Sequence, residues 1–163
     1  MGWDGRESSG IFVGNPIGWL LRNVNSSLAL FKDNGVRGFS KVLIAIRPGR
    51  RNKRFVDVAD KICSHFGASL TLLNIMGESD NNQKVKRTEK SSSELISETK
   101  SKSVVKVIRS NNPVGAISEE SASYDLLILG TPEKDNWIRV LFGAGEDRFV
   151  KKAACSVLRL TIK

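Results

Sequence analysis

The chain has 163 residues, and 26 Lys and Arg residues against 17 Asp and Glu residues give a formal net charge of +9. No stretch approaches the roughly 18 consecutive apolar residues of a membrane span, and the amino terminus lacks the basic and then apolar pattern of a secretory leader. The two cysteines provide neither a disulfide framework nor the spacing of metal ligands. The composition therefore predicts one basic globular domain in a reducing, cytoplasmic compartment, and it excludes a membrane span, a disulfide scaffold and a disordered chain.

Most of the positive charge lies beyond residue 40, because the first 40 residues contribute only four basic and three acidic side chains. The densest basic cluster is Arg47–Arg54, and a second runs from Lys84 to Lys90. Nucleic-acid binding favours aromatic side chains between the basic ones for base stacking, and only Phe55 lies near either cluster. We therefore expect no nucleic-acid partner. The clusters are either solvated loops or contacts for a small anion or an acidic protein surface.

The first elements in chain order are an amphipathic helix and a short apolar strand within residues 1–39. They repeat the last helix and strand of the chain, because at an offset of 129 residues Gly14 falls on Gly143 and Ser27 on Ser156. The chain is thus predicted to open with the final helix and strand of a second copy of one fold, the alternative being coincidence between two short amphipathic helices.

A lone helix and strand cannot bury their own apolar faces, so this strand is expected to pair with another. We predict antiparallel pairing with the last strand across a pseudo-two-fold axis, within one chain or between two chains. The strand residues concerned are Ser27, Leu28, Ala29, Leu30 and Phe31 on one side, and Ser156, Val157, Leu158, Arg159 and Leu160 on the other.

From residue 41 onwards, predicted strands alternate with helices. Continuous apolar runs rich in β-branched residues are typical of strands buried on both faces. These runs are Lys41–Ile46, Ser69–Ile75, Ser103–Ile108, Tyr124–Leu129 and Ser156–Ile162. The sequence also predicts a helix over Phe55–Phe66, a polar and mobile loop at residues 77–91, a short helix within Ser92–Thr99, a helix from Pro113 to about Ala122, and a loop and helix within residues 136–152.

This alternation predicts an α/β fold with a doubly wound, five-stranded, mostly parallel sheet, in addition to the amino-terminal helix and strand. Ligands of such sheets bind beyond the carboxyl ends of the strands, where the strand order reverses. The loops at residues 47–52 and 130–145 are therefore the candidate binding loops.

Several motifs in this order carry a family resemblance. They are Lys41–Gly49, His65-Phe66-Gly67-Ala68, Leu70–Ile75, Asn112-Pro113 with Ile117, Tyr124–Thr131, and the ending from Leu141-Phe142-Gly143 to Leu158. With these motifs, residues 41–163 resemble a universal stress protein domain. The resemblance implies a Rossmann-type sandwich like that of the adenine-nucleotide alpha-hydrolases.

Many members of that family bind ATP through an acidic residue after the first strand and through a glycine pattern, Gly-x2-Gly-x9-Gly-Ser/Thr, after the fourth. Gly130 and Gly143 keep the spacing here, but Glu133 replaces the second glycine and Ala144 replaces the hydroxyl residue. A carboxylate at the second position would repel a phosphate. The resemblance therefore implies a degenerate nucleotide site.

The residues after the first strand also depart from the family pattern. Arg47 stands at the acidic position, and Pro48 removes a backbone donor. We therefore expect that the domain binds no cofactor; the alternative is that it binds ATP or AMP. The candidate ligand-binding residues are Arg47, Pro48, Gly49, Ile75, Gly130, Thr131, Glu133, Gly143 and Ala144.

No catalytic or metal-binding set is evident in the sequence. The one histidine, His65, lies in the first helix of the complete copy, away from the strand carboxyl ends, and Cys63 on the same helix would face away from it. We therefore expect a protein that is not an enzyme.

The resemblance also implies a cellular setting, because universal stress domains occur alone and in the cytoplasmic tails of membrane transporters, often as tandem copies. We therefore expect a regulatory or interaction domain in the cytoplasmic, carboxyl-terminal part of a transporter of the amino-acid or cation-chloride type. Residues 1–39 would end a preceding domain, and residues 40–163 would form a complete one, paired through the last strand as a homodimer or tandem. The alternatives are a stress protein that binds ATP or AMP, and a hydrolase or transferase on the same fold.

Overall fold

The protein forms one six-stranded sheet with helices on both faces, as seen in a computed structural model that describes residues 25–47, 52–130 and 148–162. The strands are β1 (Leu28–Lys32), β2 (Lys41–Ala45), β3 (Ser69–Met76), β4 (Ser103–Arg109), β5 (Leu126–Gly130) and β6 (Ser156–Thr161). The helices are α1 (Asn52–Phe66), α2 (Asn82–Ile96), α3 (Pro113–Ser121) and α4 (Arg148–Lys152).

The strand order is β1-β6-β5-β2-β3-β4, in which β1 is antiparallel to β6 and all other neighbours are parallel. After β2 the chain adds strands on one side, and after β5 it adds a strand on the other. The order therefore reverses between β2 and β5, which makes this pair the topological switch point. The predicted doubly wound, mostly parallel α/β fold is confirmed.

The sheet has an apolar layer on each face because its central strands carry apolar residues at successive positions. In β2, Val42 and Ile44 pack toward α1 and α2, whereas Leu43 packs toward α3 and α4, and all three are fully buried. This two-sided burial explains the continuous apolar runs in the sequence.

Helix α2 corrects the prediction of a mobile loop at residues 77–91. It begins after Asn81, whose side chain accepts a hydrogen bond from the backbone N–H of Lys84 at 2.8 Å. Its buried positions hold the hydroxyl residues Thr88 and Ser92. The buried face of the helix is therefore formed by small polar side chains, and the sequence lacks the apolar spacing that usually indicates an amphipathic helix.

The strand predicted at residues 27–31 is present as β1, and its antiparallel pairing with β6 is as predicted. The register places Leu28 opposite Thr161 and Lys32 opposite Val157. The helix predicted before β1 falls in residues 1–24, outside the described residues. Within the described ranges, no helix is both long enough and apolar enough to cross a membrane.

Candidate functional site

The sheet register brings three of the predicted ligand-binding residues to the carboxyl edge of the sheet. Ala45 lies opposite Leu73 on β3 and Leu129 on β5, so Arg47, Ile75 and Gly130 follow at nearly the same level. Gly130 ends β5, next to β2 at the switch point. The other predicted ligand-binding residues lie outside the described residues, namely Pro48, Gly49, Thr131, Glu133, Gly143 and Ala144.

Arg47 presents a cationic group at this edge. Its side chain is exposed, and its backbone carbonyl accepts a hydrogen bond from the Nδ2 of Asn52, the first residue of α1, at 3.0 Å. The guanidinium makes no hydrogen bond or ion pair within the described part of the chain. The fork of N–H donors thus suits a phosphate or carboxylate, as the sequence suggests.

Gly130 is held by packing as well as by its position after β5. A Cβ atom added there would lie 3.1 Å from the Cζ of Phe55, which belongs to the core beneath α1. Contacts this short require the ring to shift, so the absence of a side chain lets Phe55 occupy its place. The glycine that the sequence assigns to nucleotide binding therefore has a structural role of its own.

Arg159 is a residue of this site that the sequence reasoning assigned only to strand pairing. It lies on β6 with 6% of its surface exposed, and its Nη1 donates to the carbonyl oxygen of Gly130 at 3.1 Å. This hydrogen bond holds the carbonyl at the end of β5, and it offsets part of the cost of burying the guanidinium. The available signal was one cationic residue within an otherwise uncharged strand.

The β1–β6 edge is the second candidate site, and polar contacts lock it beyond the strand pairing. Asn34 donates its backbone N–H to the Oγ of Ser156 at 2.9 Å and its Nδ2 to the carbonyl of Cys155 at 2.9 Å. The Oγ of Ser156, in turn, donates to Asp33 Oδ1 at 3.2 Å. The start of β6 is thus joined to the turn that follows β1.

Lys32 adds a further contact to this edge, because its Nζ donates to the carbonyl of Val150 on α4 at 3.0 Å. The outward backbone edge of β6 is therefore covered by a strand of the same chain. A second copy could not pair with that edge while β1 remains in place.

The groups most capable of catalysis lie away from the switch point. His65 is exposed near the end of α1, with its ring edge-to-face against Phe66 at a centroid distance of 4.8 Å. Burial, followed by the charge of Asp60, raises the pKa of the Cys63 thiol to about 11, so it remains a thiol at neutral pH. Among the described residues, no cluster of three or more His, Cys, Asp and Glu side chains could hold a metal ion.

Comparison with solved structures identifies the fold. No family model and no curated protein matches the chain. A universal stress protein from Archaeoglobus fulgidus DSM 4304 aligns with a TM-score of 0.63 and 16% identity, over 87% of this chain and 52% of that one. A universal stress protein from Archaeoglobus fulgidus in complex with dAMP aligns with a TM-score of 0.58 and 14% identity, over 74% of this chain and 97% of that one.

The cytoplasmic domain of a prokaryotic cation chloride cotransporter also aligns with the chain. Its TM-score is 0.53 and its identity 17%, over 82% of this chain and 52% of that one. At these identities the similarity establishes the fold. The chain has the universal stress protein fold, as its motifs predicted.

Substitution of Gly130 by alanine tests the contact between its backbone and Phe55. We expect Gly130→Ala to lower the free energy of unfolding by about 1–3 kcal/mol, since the added methyl group displaces a packed ring. In a Phe55→Leu background the same substitution should cost less than half as much. Denaturant unfolding of the four proteins of this double-mutant cycle measures the coupling.

Gly38→Ala is the matched control, because a Cβ atom there meets no atom within 4 Å. We expect its effect to stay within about 0.5 kcal/mol. Equal tolerance of alanine at both positions would show that Phe55 does not constrain Gly130.

Proposed function

We propose that the chain is a non-catalytic regulatory domain of the universal stress type that belongs to the cytoplasmic part of a membrane transporter. One observation carries this proposal. The chain's first described strand, β1, pairs antiparallel with its last strand, β6, as the final strands of two copies related by a two-fold axis would. The β1 strand thus takes the place of a second copy's last strand.

The alignment with the cotransporter domain supports this interpretation. The match covers 82% of the present chain and about half of that neighbour. Residues 41–163 alone make up a smaller share of the chain than this, so the aligned part extends into the first 40 residues. In this proposal, residues 1–39 are the final helix and strand of a preceding domain, and residues 40–163 are a complete domain. We therefore favour a pseudo-dimer with a tandem copy over a homodimer through β6.

A shared sheet provides a physical basis for regulation. Two domains joined by antiparallel strands move as one body, because sliding one past the other breaks several backbone hydrogen bonds at once. The bonds from Asn34 to β6 reinforce the connection. A signal that displaces one domain would therefore reach the other through β1 and β6.

Removal of residues 1–36 tests the role of β1. The deletion exposes the backbone edge of β6, and exposed strand edges pair with other chains. We expect the truncated protein to form dimers in sedimentation velocity or to unfold at a lower temperature than the full chain. A truncated chain that is as stable and as monomeric as its parent would refute this role.

The full-length variant Asn34→Ala is the control for that deletion. It keeps β1 and removes only the side-chain bonds to the segment before β6. We expect it to remain in the oligomeric state of the parent, with a free energy of unfolding lower by about 1–3 kcal/mol.

The transporter setting is tested in the source cells with an antibody raised against residues 41–163. We expect the antigen in the membrane fraction, released by detergent and not by alkaline carbonate, with a mass well above 17.9 kDa. An antigen of about that mass, found only in the soluble fraction, would contradict the proposal.

A nucleotide-binding stress protein is the second candidate. The guanidinium of Arg47 at the switch point favours it, since this group makes no hydrogen bond or ion pair with the residues that the structure describes. A neighbour of the same fold was solved with dAMP. For this candidate we expect micromolar binding of ATP or AMP in calorimetry with and without Mg²⁺, weakened about tenfold or more by Arg47→Ala. Arg37→Ala, at an exposed arginine in the segment before β2, is the matched control.

The regulatory proposal expects neither micromolar nucleotide binding nor ATP turnover above background. Turnover by the purified chain would contradict its non-catalytic character and support the hydrolase or transferase alternative.

A further inference from the structure

A groove between α1, α2 and β3 adjoins the switch point, because Asn52 lines the groove and also donates a hydrogen bond to the carbonyl of Arg47. Its volume is about 330 Å³, near the lower end of the range of roughly 300–1,000 Å³ typical of small-molecule pockets. It is lined by Asn52, Asn74, Lys84, Arg87, Thr88, Ser91, Ser92 and Leu95. The groove lies on the face of the sheet that α1 and α2 cover, and it includes neither Arg47 nor Gly130.

Three buried polar side chains border the groove within a layer that is otherwise apolar. Asn74 is 3% exposed on β3, and its Nδ2 donates to the Oγ of Ser92 at 2.8 Å. Thr88 is also buried on the same face of α2. Apolar side chains at these positions would bury more surface without the cost of removing amide and hydroxyl groups from water. The bond between Asn74 and Ser92 joins β3 to α2, and the remaining polar atoms of these side chains are suited to hydrogen-bonding a ligand in the groove.

The rim of the groove is cationic. Arg87 is exposed and makes no hydrogen bond or ion pair within the described ranges, whereas the Nζ of Lys84 contacts Asp80 Oδ1 at 2.6 Å. Asn52 is the first residue of α1, so the positive end of that helix dipole lies on the same side. The lining residues include no carboxylate, which leaves the groove suited to an anion.

The next hollow along the same two helices shows the contrast. It measures about 190 Å³, is lined by the carboxylates Glu94 and Glu98, and contains the ion pair between Lys53 and Glu98. The positive charge of Lys53 in this hollow is therefore already neutralised by Glu98. Of these two hollows, the one at Arg87 offers a cationic side chain that has no partner among the described residues.

We propose that this groove binds a small phosphorylated sugar or polyol. The phosphate contacts Arg87 near the start of α1, with Lys84 adding positive charge, and the hydroxyl groups bond to Asn74, Ser91 and Ser92. A planar guanidinium can bind two phosphate oxygens at once. This site uses none of the side chains that the sequence assigns to a nucleotide at the switch point.

Calorimetry with D-ribose 5-phosphate, ribose, inorganic phosphate and malate tests the proposal on the full chain. We expect ribose 5-phosphate to bind more tightly than either ribose or phosphate alone, since both halves of the groove contribute. Arg87→Ala should weaken binding about tenfold or more. Lys86→Ala, one residue away and also exposed on α2, should leave the affinity unchanged.

Asn74→Leu separates a ligand-binding role from a structural one. We expect it to lose binding while it keeps a cooperative unfolding transition with a melting temperature changed by only a few degrees, because the apolar burial that is gained offsets the lost hydrogen bond to Ser92. If circular dichroism shows that this variant does not fold, Ser92→Ala takes its place with the same expected loss.

Three results would overturn the proposal. One is no binding of ribose 5-phosphate at about 10 mM, above the millimolar range of weak ligands. Another is binding that is lost in Arg47→Ala and retained in Arg87→Ala, which would place the ligand at the switch point. The third is Arg87-dependent binding of malate that equals or exceeds that of ribose 5-phosphate.

Discussion

The backbone edge of β6 must be paired, and the rest of the candidate site depends on the pairing that β1 provides. Once β6 is fixed in register, Arg159 reaches the carbonyl of Gly130 at the end of β5. The unsubstituted Cα of Gly130 leaves room for the ring of Phe55 on α1. The same helix begins at Asn52, which holds the backbone of Arg47. A continuous series of contacts thus joins the paired edge to the switch point.

This arrangement gives the carboxyl edge of the sheet two cationic residues with different roles. Arg159 is buried and bonded to the backbone, so its charge serves the geometry of the strand end. Arg47 is exposed and lies two residues beyond the end of β2. Because Arg47 is exposed and positively charged, it affects which ligands the edge attracts more than it affects the fold.

The central strands were predictable because burial on both faces requires apolar residues at every position, as in the run from Lys41 to Ile46. Helix α2 was predicted only at its end, Ser92–Ile96, since Thr88 and Ser92 occupy its buried positions and resemble loop residues in a sequence. The role of Arg159 depends on a contact between β6 and β5, which no local pattern encodes. The register places Arg47, Ile75 and Gly130 together, while binding at these residues and at those within 131–147 stays a prediction.

The antiparallel direction of β1 determines where attachments can be made without disturbing the sites. Leu28 lies opposite Thr161, so β1 starts and β6 finishes at the carboxyl edge that carries Arg47 and Gly130. Labels or fusion partners joined close to these two strand ends would crowd that edge. The turn around Gly67 lies at the opposite, amino edge of the sheet, where its neighbour Ser69 begins β3. Surface immobilisation through that turn would leave the candidate ligand side facing the solution.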